Sequence, residues 1–378
     1  HWEVLIAWAL LAGVIVSSAL APDPAVAFTG NPSEGSDSAV WFAGLIAVFS
    51  LVYVRARQDR GLASRLAGAA LASAGLLALG AVLEVRSGHS LFSRVLHQAG
   101  PDAGTMPMVT FPQKGHLAGW LALGAAVAYM WRGWPLPWTA ALCALLGAGL
   151  GTTENRSSLL ALGVAVLLVL LLGRSARPPG RSPAHLLGLA AVLVVSVGAG
   201  TLFAQSGNAH AKVLSDTTTG STRSVLWAAA ARGIVARPLS GWGGGQFHAH
   251  WLDFVSPQQL RTFLREEYQV SLVRRAGNGM LVRDKAGHLQ PMFIAAWKAH
   301  NQILDVGVMY GAPVALLYLL LFLAALRHWR QAPALATALC AYGVFLVFWY
   351  MTENAEGAVF VLWGALAASG GGAGVRQG

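Results

Sequence analysis

Trp297-Lys-Ala-His300-Asn301-Gln-Ile-Leu304-Asp305-Val-Gly-Val-Met-Tyr-Gly311-Ala-Pro313 is the stretch on which the fold turns. A long polar segment ends at His300–Asn301, and an apolar run begins that reaches residue 326. Such a junction lies at a membrane surface and faces a polar compartment. A neutral imidazole there is suited to take a proton from a hydroxyl near neutral pH, so His300 is the candidate catalytic group. An isolated His is more often structural. The membrane-edge position and the neighbouring Asn301 favour the catalytic role. Asp305, one turn beyond Asn301, reads as part of a structural network with it rather than as a proton carrier.

Working outward, composition supports the same class. The 378 residues are 55% hydrophobic and 11% charged, whereas soluble domains are about a quarter charged. Several runs are long enough to cross a bilayer core, and without barrel-type alternation helices are the only spanning option. The sequence therefore predicts an all-α polytopic membrane protein with ten spans, at 3–20, 39–54, 63–84, 116–131, 135–151, 158–173, 185–204, 301–326, 333–352 and 356–370. The chain starts at His1 without an initiator Met, which leaves room for two further helices ahead of it, twelve in all. Cys143 and Cys340 both lie in apolar runs and have no disulfide or zinc spacing.

Arginines set the orientation. Arg55, Arg57, Arg60 and Arg65 occupy one short linker, Arg174, Arg177 and Arg181 another, and Arg327 and Arg330 follow the eighth span. Short Arg-rich linkers stay cytoplasmic. The intervening linkers at 21–38 and 353–355 have no Lys or Arg. This alternation fits ten spans and places both visible ends in the cytoplasm. Three regions follow: spans one to seven over 1–204, a large helical far-side loop domain over 205–299, and the last three spans with a C-terminal tail over 300–378.

The loop domain carries eleven Lys/Arg against five Asp/Glu, with Trp227, Trp242, Trp251 and Trp297, so it should fold on the membrane. A net charge of +10 would suggest nucleic acid in a soluble protein. Here it is part orientation signal and part loop charge, and no nucleic acid is expected. Arg223–Val235 reads as a helix with Gly220-Ser221-Thr222 as its N-terminal cap. That would put Arg223 at a helix N-terminus, a place that suits an anion. A second far-side helix over 257–268 puts Arg261 and Arg265 on one face. The glycine-rich Gly241-Trp-Gly243-Gly244-Gly245 reads as a bend, since no phosphate-loop pattern follows it. Another far-side segment, 85–115, holds Arg86, Arg94 and Lys114.

Arg156 is the only basic residue in a short far-side linker, Thr152-Thr-Glu154-Asn155-Arg156-Ser157-Ser158. It could reach lipid headgroups or pair with Glu154. Charges at such positions are often functional, and a guanidinium matches phosphate oxygens two at a time. Glu266-Glu267 reads as a salt-bridged helix face. Far-side carboxylates are sparse and show no metal-ligand pattern, which argues against a bound divalent cation.

Three pieces in this order resemble the O-antigen ligase and O-antigen polymerase superfamily. They are Glu154-Asn155-Arg156-Ser157-Ser158 leading into a span, Gly220-Ser221-Thr222-Arg223 running through Trp227 to Arg237-Pro238-Leu-Ser-Gly241-Trp-Gly243, and His300-Asn301-Gln-Ile-Leu304 with Gly311. The large loop before the last three spans makes the likeness greatest to the ligases. The resemblance covers residues 150–315. Many relatives have Ser-Arg-Gly where this chain has Asn155-Arg156-Ser157. The Arg is kept, and the local backbone freedom differs.

The resemblance implies a metal-independent, inverting glycosyltransferase of the Gram-negative inner membrane, active at the periplasmic face and needing no cofactor. Its donor would be O-antigen on undecaprenyl pyrophosphate and its acceptor a sugar hydroxyl of lipid A–core, with membrane lipids around it. His300 would be the general base. Arg156 and Arg223 would be catalytic and hold the pyrophosphate with Lys114 and Arg265, while Asn301 and Trp227 support the site. The rivals are a polymerase or a protein O-oligosaccharyltransferase of the same superfamily. Beyond it stand a lipid-linked oligosaccharide flippase and a non-catalytic polysaccharide-binding scaffold.

Overall fold

The structure, a computed structural model, describes residues 2–30, 37–91, 107–172, 181–207, 218–277, 279–294, 296 and 298–372. Arg94, Arg174, Arg177 and Trp297 lie outside the described residues. The helices are α1 (Trp2–Ala19), α2 (Pro24–Thr29), α3 (Ala39–Gln58), α4 (Leu62–Ser87), α5 (Lys114–Met130), α6 (Leu136–Thr152), α7 (Arg156–Leu172) and α8 (Pro183–Gly207). They continue as α9 (Thr218–Ala236), α10 (Phe247–His250), α11 (Pro257–Glu267), α12 (Gln302–Tyr310), α13 (Ala312–Leu326), α14 (Pro333–Leu346) and α15 (Glu353–Ala368). Among the described residues, α1, α3, α4 and α8 are long and apolar enough to cross a membrane, and α6, α7, α13 and α14 are shorter apolar helices. Each expected span meets a helix.

The structure departs from the expected pattern in three places. First, the all-α expectation misses a small antiparallel sheet, β1 (Ser271–Ala276), β2 (Gly279–Arg283) and β3 (Leu289–Phe293), in strand order β1-β2-β3. β1 and β2 pair antiparallel up to Ala276 opposite Gly279, and the sequence carries an Asn-Gly hairpin signal at that point. Met280 and Val282 turn the inner face of β2 into the core. Second, the eighth span is broken. Gly311 caps α12 at φ +90°, and a Cβ there would lie 2.4 Å from the Leu239 carbonyl oxygen. Pro313 then lies in the first turn of α13, which tolerates proline because its N–H would have no partner within the helix. Third, the first loop helix begins at Thr218, so Arg223 lies in its second turn. Burial of Val225, Leu226, Ala229 and Ala230 holds this helix, and the weak helix formers ahead of them make its first turn rather than a cap.

The chain divides into two compact units. The first comprises residues 1–46 and 213–321. In it α9 packs on α11 and α12, α1 packs on α12, and α11 touches β1. Ser256 and Gln259 form a capping box at the start of α11. The second unit comprises residues 47–212 and 322–378. Its centre is α5, whose residues 115–130 are all buried, against α4, α6, α7 and α14. A helix apolar all round belongs at the middle of a bundle. The Gly/Ala-rich α6 lies along α8 so closely that a Cβ on Gly151 would sit 2.2 Å from the Val197 carbonyl oxygen. Small residues let helix backbones approach in a membrane, and dispersion then holds them.

One buried carboxylate in the second unit gathers the chain that follows α4. Glu84, near the end of α4, accepts the backbone N–H groups of Leu91 (2.8 Å), Met108 (2.8 Å) and Val109 (3.0 Å). Burial of such a charge is tolerated because its oxygens are met by donors.

Candidate active site

His300 is the last residue but one before α12 and lies outside the spanning helices. Asn301 caps that helix: its side-chain oxygen accepts the Leu304 N–H at 3.0 Å. His300 itself has φ +58°, in the left-handed region that non-glycine residues seldom occupy. Such backbone costs about 1–3 kcal/mol and persists only where its surroundings impose it.

Those surroundings are visible. Asp305 accepts the Ala299 N–H at 2.6 Å, and this draws the chain back over the start of α12. Lys298 forms an ion pair with Asp37, which precedes α3, and the two side chains are only 4% and 6% exposed. Asp305 lies in the electrostatic field of both Lys298 and Asp37. The Tyr310 hydroxyl donates to the Asp37 carbonyl oxygen, and the Tyr310 ring meets Phe42 edge-on with centroids 5.3 Å apart. Lys298 and Ala299, the two residues ahead of His300, are thus fixed by contacts to residue 37 and to α12, and His300 has little freedom to relax.

The glycine run packs against the same place. Trp242 and Gly243 donate to the carbonyl oxygens of Val308 (2.9 Å) and Met309 (2.7 Å). A Cβ on Gly244 would fall 1.6 Å from the Asp37 carbonyl oxygen. The run is therefore a bend built for close approach. Trp242 seals it, with its indole N–H on the Gly233 carbonyl at 2.9 Å and the Arg237 guanidinium 4.9 Å from its ring centroid.

Electrostatics make His300 a neutral group. Burial, with the positive charges of Arg223 and Lys298, pushes its pKa down to about 4. Arg223 is half-buried, and burial lowers its pKa from the usual value. The site thus pairs an uncharged imidazole with cations whose field repels protons and attracts anions.

The remaining expected residues are placed as follows. Trp227 is half-buried on α9, one turn beyond Arg223. Arg265 is exposed near the end of α11. These lie in the first unit with His300, Arg223 and Asn301. Arg156 and Lys114 lie in the second unit. Arg156 is exposed at the first position of α7, where the Asn155 side chain accepts the Ser158 N–H and hydroxyl, both at 3.0 Å. The helix N-terminus expected for Arg223 is found at Arg156 instead. Glu154, the alternative partner considered for Arg156, accepts a hydrogen bond from Gln205 at 3.2 Å. Lys114 opens α5 and is half-buried.

Sequence reasoning missed Lys298 and Asp37. Lys298 was signalled by a cation two residues ahead of the candidate base. Asp37 carried no local sign, because its partner is 261 residues away.

Fold and site together describe a mostly helical protein with helices long and apolar enough to cross a membrane, a folded polar segment, and a neutral His beside cations. Within that class, residues 140–270 match the family model described as O-antigen ligase. The match bears out the resemblance to the O-antigen ligase and polymerase superfamily over that stretch, which holds Arg156, Arg223, Trp227 and Arg265. No curated protein and no solved structure matches the chain.

Proposed function

We propose that this protein transfers O-antigen glycan from undecaprenyl pyrophosphate to a sugar hydroxyl of lipid A–core, at the periplasmic face of the inner membrane. The observation that carries the reading is the neutral His300 held in a strained backbone beside Arg223 and Lys298. His300 takes the proton of the acceptor hydroxyl as that oxygen bonds to the anomeric carbon. The bond from that carbon to pyrophosphate breaks, and its electron pair leaves with undecaprenyl pyrophosphate. Arg223 and Arg156 balance the charge of the leaving group, which is where fixed cations lower a barrier most. Lys114 and Arg265 add to the field along the donor. Attack opposite the leaving group inverts the anomeric centre, and no metal takes part.

Donor binding also serves the base. A pyrophosphate near Arg223 offsets the positive field on His300 and raises its basicity towards the range where a general base works best. The test is transfer by purified protein with chelator present. Glycan-bearing lipid A–core that disappears in His300→Asn supports the reading. Lengthened lipid-linked glycan instead makes the protein a polymerase, and neither product from folded protein sets the transferase reading aside.

A further inference from the structure

The second unit contains a cavity of about 570 Å³ remote in sequence from His300. Five chain segments meet there: the end of α3, the start of α4, the turn after α5, the entry to α14 and the end of α15. Arg57, Arg60 and Arg132 line it, together with the polar side chains of Ser64, Gln331 and Ser369. No carboxylate lines it. The nearby acid of the α3–α4 linker, Asp59, is already paired with Arg65. Among the described residues, none of the three lining arginines is in an ion pair.

Three guanidinium groups brought to one cavity repel one another; helix C-termini offset part of that charge, but among the described residues no carboxylate pairs with them. A bound anion offsets the rest. Guanidinium forks match phosphate oxygens in geometry as well as charge. The cavity is also not purely polar, because Ala67, Met130 and Leu335 form part of its lining. One and two turns before Arg57, the apolar side chains of Val54 and Leu51 are 54% and 69% exposed on α3. In a spanning helix such residues face hydrocarbon. A ligand with a phosphate head and apolar tails meets both surfaces, and a free phosphate meets only one.

We infer that this cavity is a binding site for the phosphate-bearing headgroup of an anionic phospholipid. Basic pockets between membrane helices bind such headgroups. The site is independent of the transferase chemistry, since none of its residues belongs to the proposed catalytic set.

The test is lipid retention by the full chain, purified in detergent and measured by native mass spectrometry. Phosphatidylglycerol and phosphatidylcholine are supplied together. Wild type should keep the anionic lipid with a preference of roughly tenfold or more. The Arg57→Gln/Arg60→Gln/Arg132→Gln variant should lose that preference and keep its helical content, while Arg274→Gln, on the exposed β1, should retain it. Equal preference in wild type and the triple variant overturns the inference. So does displacement of the lipid by millimolar inorganic phosphate, which would mark a small-anion site instead.

Discussion

Lys298 and Asp37 form a buried ion pair that joins the segment before α3 to the residue two places ahead of His300. Taking both charges out of water is costly, and removing one partner leaves the other stranded, at a cost of about 3–5 kcal/mol. Lys298→Met or Asp37→Asn alone should therefore lower the unfolding midpoint clearly. The Lys298→Met/Asp37→Asn double variant should recover much of the loss. Thermal unfolding of the four proteins checks this, and additive losses in the double variant would mean the pair is not coupled.

His300 combines an imidazole with a left-handed backbone. Asn tolerates that backbone better than most residues. His300→Asn should keep the fold and lose transfer by about 10²–10⁴-fold, the span general-base catalysis contributes. Steady-state transfer rates, with unfolding midpoints alongside, separate the two effects. Wild-type rates in this variant would remove the base assignment.

The pKa of His300 near 4 gives a signed pH dependence. An unfolded His titrates at about 6.5. As pH falls from there towards 4, the unfolded chain takes up a proton that the native imidazole refuses, so stability drops. Above about 6.5 both forms are neutral and this contribution is flat. Unfolding midpoints of wild type minus His300→Asn, measured between pH 4 and 8, should show this slope. In the same window kcat/KM, which reports the free enzyme, should show no fall that His300→Asn abolishes until pH approaches 4.

Gly244 and Gly198 make a matched contrast. A Cβ at Gly244 meets the Asp37 carbonyl oxygen at 1.6 Å, while nothing lies within 4 Å of one at Gly198 in α8. Gly244→Ala should destabilise the protein and impair transfer. Gly198→Ala should be neutral or stabilise the helix by up to about 1 kcal/mol. Thermal unfolding and transfer rates measured together distinguish them.

Arg156 stands exposed at the N-terminus of α7. If it holds pyrophosphate oxygens two at a time, Arg156→Lys keeps the charge and loses the fork. Transfer in that variant should fall substantially, with the midpoint unchanged. Normal rates would show that charge alone suffices there.

Much of the helical architecture was legible because the length of an apolar run is a local signal. The Gly/Ala-rich α6 was readable for that reason and is explained by close packing on α8. The hairpin was missed although Asn278-Gly279 announces it, because the surrounding charge and the helices on either side suggested helix throughout. The break at Gly311 was hidden inside a continuous apolar run, and only the approach of Leu239 makes it necessary. At the site, His300 and Asn301 were readable as residues next to a junction, and Arg223 as a cation on a loop helix, though not its place in the second turn. Asp37 was not, since its role depends on a contact that no local pattern encodes.

The most direct measurement of the central claim is single-turnover transfer from undecaprenyl-pyrophosphate glycan to lipid A–core, with wild type and His300→Asn compared at pH 7 in the presence of chelator. The account predicts glycan-bearing lipid A–core from wild type, lost by at least about a hundredfold in His300→Asn at an unchanged unfolding midpoint. Equal product from both proteins, or product only after a divalent cation is restored, would contradict it.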